Sequence, residues 1–153
     1  MAELTELRDD YGRRLNYVRI SVTDRCNYRC AYCMPPEGVK CLSHEDILRY
    51  EDVKFLCRVF VELGVGKFRF TGGEPLVRKK DILRLAEEHH DCEFHCFTNG
   101  TLIDEEFCEA VQKLGNISFS LSLEGFEEVN DGRRGEGIYQ KVLHAMDLMR
   151  QYG

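Results

Sequence analysis

The sequence lacks the features of several large classes of protein. Its 21 Lys and Arg residues are outnumbered by 27 Asp and Glu, and the net charge is -6, so it has no basic excess of the kind that a broad nucleic-acid surface needs. No apolar run approaches the ~20 residues of a membrane helix. Residues 1–5 are acidic and lack the basic and apolar parts of an export signal. These absences predict a cytoplasmic protein that contacts neither nucleic acid nor membrane.

The sequence also lacks an internal linker or a low-complexity stretch, so we expect one domain. Eight cysteines would indicate disulfides in a secreted protein, but in the reducing cytosol they favour metal ligation or catalysis. Cys57, Cys96 and Cys108 lie at apolar positions of predicted elements and are interpreted as packing residues. Cys41 and Cys92 receive no functional assignment.

The other three cysteines share one short loop. Cys26, Cys30 and Cys33 have the spacing C-x3-C-x2-C. A structural zinc site uses four protein ligands, whereas three thiolates on a [4Fe–4S] cluster leave one iron open for a substrate or cofactor. The spacing therefore favours the cluster. A zinc site that recruits Cys41 or His44, and three unbound thiols, are the alternatives.

Strands and helices alternate along the chain. Apolar alternation predicts strands at 17–22, 67–71, 93–98 and 116–123, with helical patterns between them. This order predicts an α/β fold of about four βα units with parallel strands, in a barrel or a doubly wound sheet. The distinctive residues follow strands directly, where parallel α/β folds place their active sites.

Helix ends are predicted from capping residues. Ser43, with Asp46 three residues later, resembles a capping box and predicts a helix that starts there and is ended by Gly64 and Gly66. The remaining predictions are helices at 81–90, 105–114 and 138–152 and a loop at 124–137.

The cysteine loop is similar to the signature of the radical S-adenosylmethionine (radical SAM) superfamily, in which an aromatic residue, here Tyr32, precedes the last cysteine. Residues 19–35 and 64–76 further resemble the molybdenum-cofactor biosynthesis protein A family, the GTP 3′,8-cyclases. The resemblance covers roughly residues 10–80. It implies a [4Fe–4S] cluster on the three cysteines and cleavage of S-adenosylmethionine to a 5′-deoxyadenosyl radical, which abstracts a hydrogen from the substrate.

This resemblance implies roles for residues near the cofactor. Tyr32 would lie beside the cluster and pack near the adenine. Gly72, Gly73, Glu74 and Pro75 match the motif that receives the methionyl amino group. The two glycines permit close approach of backbone carbonyls, and the carboxylate supplies complementary charge.

Other matching positions imply further contacts. Ser122 would contact the bound S-adenosylmethionine, and Arg19 and Arg69 would bind the GTP triphosphate, because guanidinium groups suit bidentate phosphate contacts. For both arginines a solvated or locally paired charge is the alternative. Thr98 lies in the turn that helps to bind the substrate, where Phe97 replaces the usual hydroxyl residue.

The second half of the chain resembles another branch of the superfamily. Residues 119–125 and 130–137 are similar to radical SAM proteins with a SPASM-type C-terminal domain, many of which modify peptides or mature other enzymes. The resemblance of the first half implies GTP as the substrate, and that of the second half gives a peptide or protein as the alternative. A non-catalytic iron–sulfur module is the third hypothesis.

Residues 1–153 hold fewer βα units than this superfamily usually has, and they contain no second cysteine triplet. We therefore expect the N-terminal part of a truncated radical SAM core, which the resemblance implies is a partial TIM-like (βα) barrel, with a sheet edge that another chain would cover. The complete reaction is expected to be weak or absent in this chain alone. The implied chemistry also needs an electron donor such as flavodoxin or ferredoxin.

Overall fold

Four parallel strands form one sheet in the computed structural model, which describes residues 6–153. The strands lie side by side in chain order: β1 (Tyr17–Ser21), β2 (Lys67–Thr71), β3 (Glu93–Thr98) and β4 (Ile117–Leu121). The helices are α1 (Tyr50–Glu62), α2 (Lys79–Glu88), α3 (Glu105–Leu114), α4 (Glu127–Arg134) and α5 (Ile138–Tyr152), with a 3-10 turn at Pro75–Arg78. The predicted α/β fold with parallel strands and about four βα units is confirmed.

One face of the sheet is apolar and packs against the helices. The rings of Phe68 and Phe94 stack with centroids 5.4 Å apart, and those of Phe70 and Phe94 with centroids 5.6 Å apart. All three rings are fully buried. Buried helical residues complete this core: Val53, Cys57, Ile82, Leu85, Ala86, Phe107, Cys108, Ala145 and Leu148. Each large side chain buried here contributes about 1.5–3 kcal/mol.

The opposite face, which we call the open face, is polar. It carries the alternate residues of the strands: Tyr17, Arg19, Lys67, Arg69, Glu93, His95, Phe97, Ser118 and Ser120. The strand register aligns Arg19, Arg69, His95 and Ser118 in one row across the sheet. A pocket of about 350 Å³ lies against this face beside β2, β3 and β4. In a barrel such alternate residues face the interior, so the open face is the inner wall of the partial barrel.

Helix α1 begins later than predicted. The Ser43 hydroxyl donates to the Asp46 carboxylate over 2.8 Å, and the Asp46 N–H donates to the Ser43 carbonyl over 3.1 Å, so this pair closes a turn. The helix begins at Tyr50, where the Asp52 carboxylate accepts a hydrogen bond of 2.8 Å from the Arg49 N–H. The prediction of a start at Ser43 was wrong because two similar polar patterns follow each other, and only the second caps the helix.

The other helix ends are closer to prediction. In α3 the Asp104 carboxylate accepts a 2.9 Å hydrogen bond from the Phe107 N–H, and Gly115 ends the helix at φ 70°, as its sequence indicated. Helix α2 begins two residues before the predicted start at Asp81, because the 3-10 turn runs directly into it. Strands β1 and β4 are shorter than predicted, while β2 and β3 have the predicted bounds.

Helix α4 lies in the segment that was predicted to be a loop, which is a second correction. Glu127 and Glu128 occupy its first turn and Arg133 and Arg134 its last, an arrangement that suits the helix dipole. Gly132 inside the helix lowers its propensity by roughly 1 kcal/mol relative to Ala. With few apolar positions as well, the segment carried no helical pattern.

The cysteines outside the cysteine loop divide by burial. Cys57, Cys96 and Cys108 are buried in the core, as predicted, and Cys92 is buried as well, whereas Cys41 is exposed. Burial raises the pKa values of Cys57 and Cys96 to about 12, so both remain thiols at neutral pH. Within the described residues no helix has the length and apolar character to cross a membrane.

Candidate active site at the carboxyl ends of the strands

Four loops, one after each strand, meet at the same edge of the sheet. The cysteine loop (residues 26–33) follows β1, and the loops at 72–75, 98–101 and 122–124 follow β2, β3 and β4. Side-chain hydrogen bonds join the cysteine loop to the third and fourth loops, and the third loop to the second. The loops that carry the sequence motifs therefore form one connected site.

The loop after β2 packs directly on the chain that enters the cysteine loop. A Cβ atom on Gly72 would lie 2.1 Å from the Thr23 carbonyl oxygen, and one on Gly73 would lie 2.2 Å from the Arg25 carbonyl oxygen. The Gly73 N–H donates to the Thr23 carbonyl over 2.7 Å, and the Glu74 N–H donates to the Arg25 carbonyl over 2.8 Å. Only glycine permits this approach, which fixes the start of the cysteine loop.

The side chain of Glu74 joins the second loop to the third. It is buried, with 1% of its surface exposed. Its Oε1 accepts hydrogen bonds from the Leu76 N–H at 2.9 Å and the Thr98 hydroxyl at 2.6 Å, and its Oε2 accepts one from the Asn99 N–H at 2.8 Å. Pro75 follows as the first residue of the 3-10 turn and is buried too. Three donors hold this buried carboxyl group, as a buried polar group requires.

A second set of hydrogen bonds joins the third loop to the cysteine loop. The Asn99 amide donates to the Asn27 Oδ1 over 2.8 Å, and the Asn27 amide donates to the Thr101 hydroxyl over 3.0 Å. The Asn99 Oδ1 accepts hydrogen bonds from both the hydroxyl and the N–H of Thr101. Asn27, which directly follows Cys26, is thus held by two residues of the loop after β3.

The fourth loop holds the far end of the cysteine loop. The Tyr32 hydroxyl donates to Glu124 Oε1 over 3.0 Å, and the Arg133 carbonyl accepts a 2.8 Å hydrogen bond from the Ala31 N–H. The Arg134 guanidinium, 9% exposed, pairs with the same Glu124 oxygen at 2.6 Å. Hydrogen bonds from Arg134 and Tyr32 lower the pKa of Glu124. Burial and the bond to Glu124 raise the pKa of Tyr32 to about 12.

The three thiols of the cysteine loop differ in exposure. Cys26 is half-buried, Cys30 is buried and Cys33 is exposed. The pKa of Cys26 is raised chiefly by burial; the Tyr28 N–H opposes this rise, and Glu74, Cys30 and Cys33 add to it. Cys26 therefore lies within electrostatic range of Glu74 and of the two other cysteines of its loop.

On the open face, two arginines lie over aromatic rings. The Arg19 guanidinium lies 5.5 Å from the centroid of Phe97, and that of Arg69 lies 4.7 Å from the centroid of Tyr17. Within residues 6–153 neither guanidinium pairs with a carboxylate, whereas Lys67 on the same face pairs with Glu93 at 2.8 Å. Because an aromatic ring orients a guanidinium without neutralising it, both arginines can receive an anion.

Residues 20–153 match the sequence profile of the Radical SAM superfamily. The chain belongs to this superfamily. The curated relatives of this radical SAM chain include the GTP 3′,8-cyclase of Peptoclostridium acidaminophilum, 44% identical in an alignment of 155 positions that covers 96% of this chain and 46% of that protein. The GTP 3′,8-cyclase of Geobacter sulfurreducens is 47% identical over 90% of this chain and 43% of its own length. The chain thus spans less than half the length of these relatives.

Solved structures of radical SAM proteins share the fold. anSMEcpe with bound AdoMet superposes with a TM-score of 0.69 at 25% identity, over 89% of this chain and 40% of that chain. Streptococcus suis SuiB bound to S-adenosylmethionine has a TM-score of 0.71 at 22% identity, over 90% of this chain and 32% of that chain, and at that identity it shows the fold alone. The predicted partial-barrel fold is confirmed.

The cofactors of this superfamily are a [4Fe–4S] cluster and S-adenosylmethionine, and the cysteine loop fits the first of them. Within the described part of the chain no three Cys, His, Asp or Glu side chains are arranged around a single metal ion. The cysteine loop nevertheless supplies three thiols within eight residues, and Cys thiolates are the ligands that iron–sulfur clusters use. The three cysteines stay the predicted ligands, and a zinc site that recruits Cys41 or His44 stays the alternative.

Two of the predicted ligand residues have other partners in this structure. The Thr98 hydroxyl donates to Glu74 and accepts a 3.0 Å hydrogen bond from the Gly100 N–H, and Thr98 is 1% exposed. Ser122 is half-buried after β4, and its N–H donates to the Thr98 carbonyl over 3.0 Å. The predicted roles of Thr98, Glu74 and Ser122 as ligand contacts stay predictions.

Sequence reasoning missed the polar residues that hold the loops together. Asn27, Glu124 and Arg134 have no local pattern that marks them, because their partners are distant in the chain. Asn99 stands in a turn that the sequence did indicate, which was the available signal. His95 was missed as well, although its alternate position in β3 places it on the open face.

Proposed function

We propose that the chain is the N-terminal part of a radical SAM core in which Cys26, Cys30 and Cys33 hold the [4Fe–4S] cluster. The observation that carries this proposal is the approach of Gly73 to the Arg25 backbone, with a distance of 2.2 Å from a Cβ position to the carbonyl oxygen. This contact fixes the first cysteine against the loop that carries Glu74. A glycine pair serving only as a surface turn would need no such approach.

The chemistry that the bound cofactors supply is one-electron cleavage of S-adenosylmethionine to a 5′-deoxyadenosyl radical, which abstracts hydrogen from the substrate. In this proposal the residues of the chain bind and orient these cofactors. The buried carboxylate of Glu74 would supply the negative charge for the methionyl ammonium. Tyr32, hydrogen-bonded to the fourth loop, would pack near the adenine; the guanidinium groups of Arg133 and Arg134 also lie over its ring, 4.8 and 5.6 Å from the centroid. Ser122 and the backbone at Gly72 would complete the contacts.

For the substrate we propose GTP. The supporting observations are the two GTP 3′,8-cyclases at 44% and 47% identity and the two arginines of the open face. Arg19 and Arg69 would bind the triphosphate, and the turn at Thr98 would lie at the substrate. In this proposal the reaction belongs to molybdenum cofactor biosynthesis.

A peptide substrate is the second candidate. A structure of anSMEcpe with bound AdoMet and Kp18Cys peptide has a TM-score of 0.71 at 26% identity over 89% of this chain. In addition, Phe97 occupies the position where the GTP cyclases usually have a hydroxyl residue, and its ring lies beside Arg19. Titration of the chain with GTP, followed by calorimetry, separates the two candidates: nucleotide binding that Arg69→Gln abolishes supports GTP.

The remaining parts of the proposal concern partners and location. Flavodoxin or ferredoxin would reduce the cluster, and further βα units, on this polypeptide or on another chain, would cover the edge of β4. We place the reaction in the cytoplasm, where thiols stay reduced.

The test is 5′-deoxyadenosine formation. The chain is reconstituted anaerobically with iron and sulfide, dithionite and S-adenosylmethionine are added, and deoxyadenosine is quantified. We expect product from the parent chain and from Cys41→Ser, the matched control in an exposed cysteine outside the loop, and none from Cys30→Ala.

The outcomes separate the hypotheses. Equal deoxyadenosine from the parent and from Cys30→Ala would exclude the proposed ligand set. A cluster that assembles on the parent chain but cleaves nothing would support the non-catalytic iron–sulfur module.

A further inference from the structure

His95 is held at both ring nitrogens on the open face. Its Nδ1 lies 2.8 Å from the Ser118 Oγ, and its Nε2 lies 2.8 Å from the Ser120 Oγ. Phe97 packs edge-on against the imidazole with ring centroids 5.0 Å apart. The ring is therefore fixed in position, beside a pocket that Arg69, Ser118 and Ser120 also line.

Hydrogen bonding to Ser118 favours one tautomer of His95. When the Ser118 hydroxyl donates to the Phe94 carbonyl, 3.4 Å away, its oxygen accepts a hydrogen bond from the Nδ1–H over 2.8 Å. Nε2 then carries no proton and accepts a hydrogen bond from the Ser120 hydroxyl. Burial and the charge of Arg69 lower the pKa of His95, so the imidazole is neutral at pH 7.

We propose that His95 and Ser120 form a proton-accepting pair on the open face, which takes a proton from an anionic ligand held at Arg69. The ligand would carry an O–H or N–H group beside its phosphate or carboxylate group. As its bond to hydrogen breaks, the proton passes to the Ser120 oxygen while the hydroxyl proton of Ser120 passes to Nε2. The products are an imidazolium and the deprotonated ligand, with Ser120 unchanged.

The charges around His95 couple this proton to the anion. Arg69 is its neighbour on β2 in the strand register. On the same face, Lys67 is paired with Glu93 at 2.8 Å, and Arg19 lies across Phe97. A bound anion offsets the charge of Arg69, which raises the pKa of His95 and favours proton uptake. The anion part of this inference rests on the substrate site proposed above, whereas the tautomer does not.

The test is nitrogen NMR of the whole chain with labelled histidine. The sequence has five histidines, and the His95 signal is assigned as the one lost in His95→Gln. Without ligand we expect protonated Nδ1, unprotonated Nε2 and a titration midpoint below that of ordinary histidines. Addition of tripolyphosphate as the anionic probe should move the midpoint upward.

Two arginine variants sharpen the test. Arg69→Gln should raise the midpoint without the probe and remove the response to it. Arg84→Gln is the matched control, since Arg84 also lies over a tyrosine, 4.0 Å from the Tyr50 centroid, but on a helix away from this face. Arg84→Gln should change neither the titration midpoint of His95 nor its response to tripolyphosphate.

A Nε2–H tautomer in the free chain, or a midpoint that tripolyphosphate does not move, would overturn the proposal. The NMR experiment requires no cluster. A failure here therefore differs from a failure of the deoxyadenosine assay, which would count against the proposed function.

Discussion

The tightest contact in the site predicts that Gly73→Ala damages both stability and cluster assembly. The new methyl group would lie 2.2 Å from the Arg25 carbonyl oxygen, 2.4 Å from its carbon and 2.9 Å from the Asp24 carbonyl carbon. All three atoms belong to the backbone, so no side chain can rotate out of the way. The two segments must separate by about 1 Å or more to restore an ordinary contact.

The size of the effect follows from what this separation disrupts. The Gly73 N–H bond to Thr23 and the Glu74 N–H bond to Arg25, at 2.7 and 2.8 Å, both lengthen. Each backbone hydrogen bond contributes about 0.5–1.5 kcal/mol net, and forcing a methyl group into a packed contact costs about 1–3 kcal/mol. We expect a loss of roughly 2–6 kcal/mol, a large part of the stability of a small domain, which is about 5–15 kcal/mol.

The assay is urea unfolding followed by circular dichroism, combined with iron analysis after anaerobic reconstitution. Gly66→Ala is the matched control, because no atom lies within 4 Å of its Cβ position and its φ is not positive. We expect Gly66→Ala to bind iron as the parent does and Gly73→Ala to bind less. If the two variants unfold at the same urea concentration, the close approach of the two loops is refuted.

Two further predictions concern helices outside the site. Gly132→Ala should stabilise the chain by about 1 kcal/mol, because its Cβ position in α4 is open; an unchanged urea midpoint would contradict this. Asp104→Ala should cost about 1 kcal/mol through loss of the α3 cap. Burial raises the pKa of Asp104, but the bonds from Lys79 and Phe107 outweigh it, and the folded pKa is lowered. Its stabilisation is therefore present above the unfolded pKa of about 3.9 and lost as pH falls through the folded pKa. Acid titration of the unfolding free energy should show this loss in the parent and not in Asp104→Asn.

The order of elements and most strand bounds followed from local patterns. Strands β2 and β3 have alternating residues and glycine or acidic residues at their ends, so their bounds were predictable. The start of α1 was not, because the side chains of Ser43 and Asp46 satisfy each other in a turn. Helix α4 escaped prediction because its stabilisation comes from charge at its ends and from contacts of Arg134 with another loop.

The site was predictable as a set of positions and not as a set of contacts. The glycine pair was expected to make room for an ammonium group. In the structure the glycine pair instead makes room for the backbone of Thr23 and Arg25, about 50 residues earlier in the chain. Contacts of this range depend on how strands lie side by side, and no local periodicity encodes them. The hydrogen bonds of His95 were not predicted for the same reason, since its partners lie on the neighbouring strand.

Glu74 has a structural role that must be reconciled with its predicted cofactor role. A carboxylate has about four acceptor sites, and Glu74 uses three of them: two on Oε1, for Leu76 and Thr98, and one on Oε2, for Asn99. One acceptor site on Oε2 is left, and the Glu74 carboxylate is among the groups that raise the pKa of Cys26. The three bonds hold the carboxylate in place before any ligand arrives, so the proposed contact with a methionyl ammonium would have to use the remaining site of a side chain that is 1% exposed.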